Sequence, residues 1–214
     1  MQVLPVLNVA SFQEACDRVK GAQGFANLMH IDIVDGKFAP NVTWGTPEEL
    51  VRMKDEAGAE GMKFEIHLMV QNPESVIDAW LRTGLVARIV VHLEAMTDLV
   101  YILEKCRKYG VEAMLAINPE TEVERLTAHL DDFRYCQVLA VFPGLAGQKF
   151  QPQVLEKIAY IKKQHPNVII EVDGGINRDT AASVKKAGAD IVVSASYIFE
   201  SADPEKTYRE LLAL

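Results

Sequence analysis

His30 and Asp32, in the stretch HIDIVDGKFAPN, stand two residues apart. On a strand that spacing points both side chains to one face. His67 lies in KFEIHLM, His92 and Glu94 alternate in VVHLEA, and Asp173 directly precedes Gly174-Gly175. Imidazoles and carboxylates brought together form a divalent-metal site with mixed nitrogen and oxygen ligands. Taken singly, each residue has a plainer reading. A strand histidine is commonly a hydrogen-bonded core or rim residue, and an Asp before Gly-Gly is commonly a turn residue. His129 and His165 fall late in helical stretches, where a surface place is expected. His92 and Glu94 suit an outer shell, a substrate contact or a satisfied rim pair. Lys63 and Glu65 share the face of His67 and read as an ion pair deeper in the protein. Asp35, beside Gly36, reads as a loop-shaping residue.

What could bring these residues together is a regular alternation of elements. Short apolar runs at 2–9, 27–34, 62–69, 87–93, 111–117, 135–142, 167–173 and 189–195 read as strands. Amphipathic stretches at 11–20, 47–57, 73–83, 96–109, 121–130, 152–164, 178–187 and 203–213 read as helices. TPEEL, NPESV and NPETEV place Pro near a first helical turn, and DEAG, KYG and KKAG place Gly at a helix stop. Eight strand–helix units imply a parallel sheet with helical crossovers. An open doubly wound sheet would satisfy that order, but this unit count in 214 residues favours a closed (β/α)8 TIM barrel, with residues 1–214 as one domain. Function in such a barrel sits at the C-terminal strand ends. His30, Asp32, His67, His92 and Asp173 all lie toward those ends. Asp32 and Asp173 inside a barrel would be costly unless paired or metal-bound.

A second constellation is glycine-rich. FPGLAGQKF (142–150), DGGI (173–176) and SASYIF (194–199) follow the sixth, seventh and eighth strands. Loops after the last two strands of this barrel recurrently cradle phosphate, and glycine lets backbone approach an anion closely.

A net charge of −8 argues against nucleic acid or an anionic membrane surface as partner. Cys16, Cys106 and Cys136 form neither a disulfide framework nor a metal-ligand spacing, so a reducing cytoplasm is expected. MQVLPVLNV reads as a first strand rather than a signal peptide. No apolar run approaches the roughly 20 residues of a membrane span.

In this order HIDIVDGKFAPN, HLMVQNPE, VVHLEA, INPET, PGLAGQKF, EVDGGIN and GADIVVSASYIF resemble the ribulose-phosphate 3-epimerase family over nearly the whole chain. The resemblance implies a (β/α)8 barrel holding one divalent metal (Zn, Fe, Mn or Co) through His30, Asp32, His67 and Asp173. It implies Asp32 and Asp173 as the acid/base pair. Gly144, Ala146, Gly147, Gly174, Gly175, Ala195 and Ser196 would meet the phosphate, and Asn8 and Met69 the rest of the substrate. The implied substrate is a sugar phosphate, with ribulose 5-phosphate the default and a hexulose phosphate such as allulose 6-phosphate the alternative. Family members are commonly oligomeric, so a homo-oligomer is implied.

The chain also departs from the family. PSILSADF is here PVLNVASF, which puts Val6 where a serine stands and Asn8 next on the same face. MDG is VDG, so Val34 replaces a methionine, and MSVNPGFGG is LAVFPGLAG. The latter change suggests a second methionine lost at Ala140, an asparagine lost at Phe142 and a loop glycine lost at Ala146. An altered pocket wall around familiar chemistry is expected. Two other readings compete. A decarboxylase of the same barrel type would carry an Asp-x-Lys-x-x-Asp run, which is missing here. A non-catalytic sugar-phosphate-binding barrel would not need two aspartates with two histidines.

Overall fold

In the computed structural model, which describes residues 1–214, eight parallel strands close into a barrel in sequence order. They are β1 (Gln2–Leu7), β2 (Leu28–Val34), β3 (Lys63–Met69), β4 (Val86–His92), β5 (Glu112–Ile117), β6 (Tyr135–Leu139), β7 (Ile169–Asp173) and β8 (Ile191–Ser194). Their outward residues pack against the surrounding helices. Phe64, Ile66 and Leu68 of β3 are fully buried there, as are Leu50 and Met53 from the helix at Pro47–Ala57. Each such side chain contributes about 1.5–3 kcal/mol of burial, so this annulus holds the barrel closed.

Local signals set the helix ends. Thr46 caps the Pro47–Ala57 helix by accepting from Glu49 N–H, Pro47 opens its first turn, and Gly58 ends it in the left-handed conformation. Gly110 and Gly188 end two further helices in the same way. Two expected helices come out broken. The 73–83 stretch is a 3-10 turn at Pro73–Ser75 followed by a short helix at Ile77–Arg82. The 121–130 stretch keeps only Val123–Thr127 as α-helix, and Pro119 falls before it rather than in its first turn. The hydroxyl of Thr121, at the start of that stretch, donates to Glu94.

Inside the barrel the side chains alternate inward in layers. Leu4, Val6, Ile191 and Val193 form one apolar group, and Val90, Met114, Ala116 and Leu139 another. Polar side chains share the interior with them. The register pairs His30 with Glu65, Glu65 with Arg88, and Gln137 with Glu171. One layer toward the C-terminal ends, Asp32 pairs with His67. No helix is long and apolar enough to cross a membrane.

Candidate active site

His30 and Asp32 leave β2 on its inward face, His67 leaves β3, and Asp173 ends β7. The first three are buried, and one ligating atom from each of the four lies within 4.8 Å of the others. Nε2 of His30 is 3.0 Å from Oδ1 of Asp32 and 3.2 Å from Nδ1 of His67. Nδ1 of His67 is 3.1 Å from Oδ1 of Asp32 and 3.5 Å from Oδ2 of Asp173.

The atoms turned away from this centre are held too. Nδ1 of His30 meets Oε1 of Glu65 at 2.5 Å. A carboxylate only accepts, so in the neutral ring the hydrogen sits on Nδ1 and the Nε2 lone pair is left for a cation at the centre. Oδ2 of Asp32 accepts from the side-chain amide of Asn8 at 2.8 Å, which leaves Oδ1 for the centre. Burial disfavours a charge on either group. Even so, the hydrogen bonds and charges of Asp32 and Glu65 raise His30 well above its ordinary value, and those of His30 and His67 lower Asp32. The cluster therefore favours positive charge at its centre. Two imidazoles and two carboxylates oriented in this way fit a divalent cation.

Below the cluster lies a layer that the strand patterns did not reveal. Glu65 was expected to pair with Lys63. Instead Lys63, at the exposed start of β3, donates to the carbonyl of Gly84 at 2.7 Å. The cation on Glu65 is Arg88 from β4, which also approaches Glu171 at 3.4 Å. Gln137 donates to Glu171 at 3.0 Å. All four residues of this layer are buried. The signal was available: Arg88, Val90 and His92 share one face, as do Glu171 and Asp173.

Above the cluster opens a cavity of about 500 Å³, lined by Val6, Asn8, Asp32, Met69, Leu139 and Asp173 on its barrel side. Its outer wall is the glycine loops: Gly144, Ala146, Gly147, Gly174, Gly175, Ala195 and Ser196 all line it. Close packing explains two of these glycines. A Cβ on Gly174 would lie 2.3 Å from the Val141 side chain, and one on Gly175 would lie 2.6 Å from the backbone nitrogen of Phe150. Both have positive φ, of 105° and 65°. Ser196 opens a single-turn helix, Ser196–Phe199, whose first N–H groups have no acceptor within the helix. Asp35 shapes the roof, as expected. Its Oδ1 accepts from the N–H groups of Lys37 and Phe38, and its Oδ2 from that of Gln71, which ties the loop after β2 to the end of β3.

The family model for the ribulose-phosphate 3 epimerase family matches residues 2–199. The chain belongs to the ribulose-phosphate 3-epimerase family. It is thereby an isomerase of the epimerase class. Among its relatives, ribulose-phosphate 3-epimerase of Chlamydia muridarum is 38% identical over 82% of this chain and 77% of that one. The protein of the same name from Bacillus subtilis is 34% identical over 99% of this chain and 98% of its own. Among solved structures, 3-hexulose-6-phosphate synthase superposes with a TM-score of 0.74 at 16% identity, covering 100% of this chain and 99% of that one. Orotidine 5'-phosphate decarboxylase from Pyrococcus horikoshii OT3 superposes at 0.69 and 13%, covering 98% and 97%. At such identities these two share the fold alone.

Within this family frame one departure needs correction. The methionine expected to be lost at Ala140 belongs at Leu139. Read letter for letter, the M of MSVNPGFGG falls on the L of LAVFPGLAG, and the geometry agrees. Leu139 lines the cavity, whereas Ala140 packs outward into the core. Val34 is buried against Ala39 and Met69, and Phe142 stands 48% exposed at the cavity rim.

Proposed function

We propose that the chain inverts C3 of a ketose phosphate, with D-ribulose 5-phosphate converted to D-xylulose 5-phosphate as the default reaction. The observation that carries this reading is the meeting of Asp32 and Asp173 with His30 and His67 at the floor of a cavity walled by glycine loops. The family membership and the printed names of its relatives support it.

The residues that would hold one divalent cation are His30, Asp32, His67 and Asp173; Zn, Fe, Mn or Co suits such a set. When bound, the cation would supply Lewis-acid stabilisation of the negative charge that develops on the substrate oxygens. The chain's residues do the rest. The proton α to the C2 carbonyl is taken by one aspartate, and the other returns a proton from the opposite face. Asn8 keeps Asp32 oriented through its amide. Val6, Met69 and Leu139 give the sugar carbons an apolar wall that excludes water. The amides at Gly144, Gly147, Gly174, Gly175, Ala195 and Ser196, with Ala146 beside them, would receive the phosphate.

A hexulose phosphate is the second reading, favoured by a cavity wall altered at Val6 and Leu139, where the family motifs place serine and methionine. Metal analysis of the purified protein, with exchange of the C3 proton followed by NMR in heavy water across pentulose and hexulose phosphates, tests both readings. Exchange on ribulose 5-phosphate that is abolished in Asp173→Asn is the expected result. Stoichiometric metal with no exchange on any ketose phosphate would sink the epimerase reading, and undiminished exchange in Asp173→Asn would sink the acid/base assignment.

A further inference from the structure

Nδ1 of His67 faces the cluster, and its other nitrogen, Nε2, lies 2.8 Å from Nε2 of His92. Both rings are fully buried. Two neutral imidazole nitrogens this close share one hydrogen, so one donates and the other accepts. The remaining nitrogen of His92, Nδ1, lies 3.2 Å from Oε2 of Glu94. The other oxygen of Glu94, Oε1, accepts from the Asn118 N–H at 2.9 Å and from the Thr121 hydroxyl. Burial pushes the Glu94 carboxyl up, but these hydrogen bonds outweigh it and bring it down to about 2. Glu94 is therefore an acceptor at both oxygens. The Phe38 ring packs over His92, with centroids 4.6 Å apart, and shields the chain of contacts.

We propose that Glu94 and His92 are positioning residues that set the tautomer of His67. Glu94 accepts the Nδ1 hydrogen of His92. Nε2 of His92 then accepts the Nε2 hydrogen of His67, and Nδ1 of His67 is left as a lone pair aimed between Asp32 and Asp173. This deepens the metal reading above and rests on it. A relay running the other way would put a hydrogen on Nδ1 of His67 and close that position to a cation.

The contacts of Glu94 make the relay reversible by one atom. Oε1 is pinned by two donors, so in Glu94→Gln the amide oxygen takes that place and the NH₂ group faces Nδ1 of His92. His92 must then carry its hydrogen on Nε2, and His67 must move its own to Nδ1. Glu94→Ala removes the acceptor without installing a donor and leaves both tautomers accessible. The two variants therefore rank in the opposite order from a merely structural role, in which the larger truncation does more harm.

The test is Zn²⁺ affinity by chelator competition, together with nitrogen-15 NMR of His67 in metal-free protein at pH 9. Glu94→Gln is expected to weaken Zn²⁺ binding by about 10- to 100-fold, more than Glu94→Ala does, and to move the His67 hydrogen from Nε2 to Nδ1. A Gln variant with wild-type affinity or the wild-type tautomer, or one milder than Ala, overturns the relay. If Glu94→Gln does not fold, the wild type decides: a hydrogen on Nδ1 of its His67 overturns the relay. A wild type that binds no Zn²⁺ overturns the metal reading instead, and the NMR still decides the tautomer.

Discussion

Asn8 donates its side-chain amide to Oδ2 of Asp32 at 2.8 Å. The same nitrogen donates to the carbonyl of Gly144 at 2.9 Å. One amide therefore orients a proposed acid/base carboxylate and fastens the loop after β6 to the end of β1. A hydrogen bond to an ionised group contributes about 1.5–3 kcal/mol, and Leu has nearly the shape of Asn without its donor. Asn8→Leu should still fold, with a lower melting temperature, and lose roughly tenfold or more in kcat/KM, the rate equivalent of about 1.4 kcal/mol. Steady-state kinetics beside a melting curve decide it. Wild-type kcat/KM would show that Asp32 needs no help from Asn8.

Two buried glutamates in the layer below should respond oppositely to the same substitution. Burial pushes Glu171 well above its ordinary value, and the neighbouring charge of Glu65 adds to this. Glu65 is brought down to about 2 against its own burial, by the hydrogen bond from His30 and the charge of Arg88. Burial thus favours the neutral form of Glu171 beside the Glu65–Arg88 ion pair. Glu171→Gln replaces one neutral group by another and should change unfolding free energy by less than about 1 kcal/mol. Glu65→Gln removes the near partner of Arg88 and the acceptor of His30, leaves Arg88 only its longer contact to Glu171, and should cost about 3 kcal/mol. Urea unfolding of the metal-free proteins measures both, and equal losses would show that Glu171 is ionised.

That layer also marks where reading along the chain stops. The barrel was legible because each strand is apolar on the face it turns to the helices, and the cluster because His30, Asp32, His67 and Asp173 all fall near strand ends. Pairing across strands was not legible. Glu65 and Lys63 are near in sequence, but Lys63 begins its strand at the solvent, while the inter-strand register sets Arg88 opposite Glu65. Likewise the 135–142 run is apolar but for Gln137, and β6 ends at Leu139. Beyond it Ala140 still donates to the carbonyl of Asp173, and the chain then turns at Pro143-Gly144. Composition carries no mark of that exit.

Gly175 should be intolerant of a methyl group for two separable reasons. Its φ of 65° disfavours any side chain, and a Cβ would press on the backbone of Phe150. Gly175→Ala must therefore displace the loop that would hold the phosphate. The expected result is a KM at least about tenfold higher with a smaller change in kcat, because uniform binding is what is lost. Inorganic phosphate, as a competitive inhibitor, should weaken in parallel. An unchanged inhibition constant for phosphate would place the phosphate elsewhere.

The acid sensitivity of the fold should carry a contribution from Glu94. Its carboxyl titrates at about 2 in the folded protein, against about 4.3 in an unfolded chain. A lowered folded value stabilises the protein above the unfolded pKa, and that stability is lost as pH falls toward the folded one. The side chain is 17% exposed, so solvent screening trims the effect to about 2 kcal/mol. In metal-free protein, the stability advantage of the wild type over Glu94→Gln should be full at pH 6 and should shrink between about pH 5 and 2. Urea midpoints across that range measure it. An advantage that stays constant with pH would mean the hydrogen bonds from Asn118, Thr121 and His92 do not favour the ionised form. The acceptor character on which the His92–His67 relay depends would then fail with it.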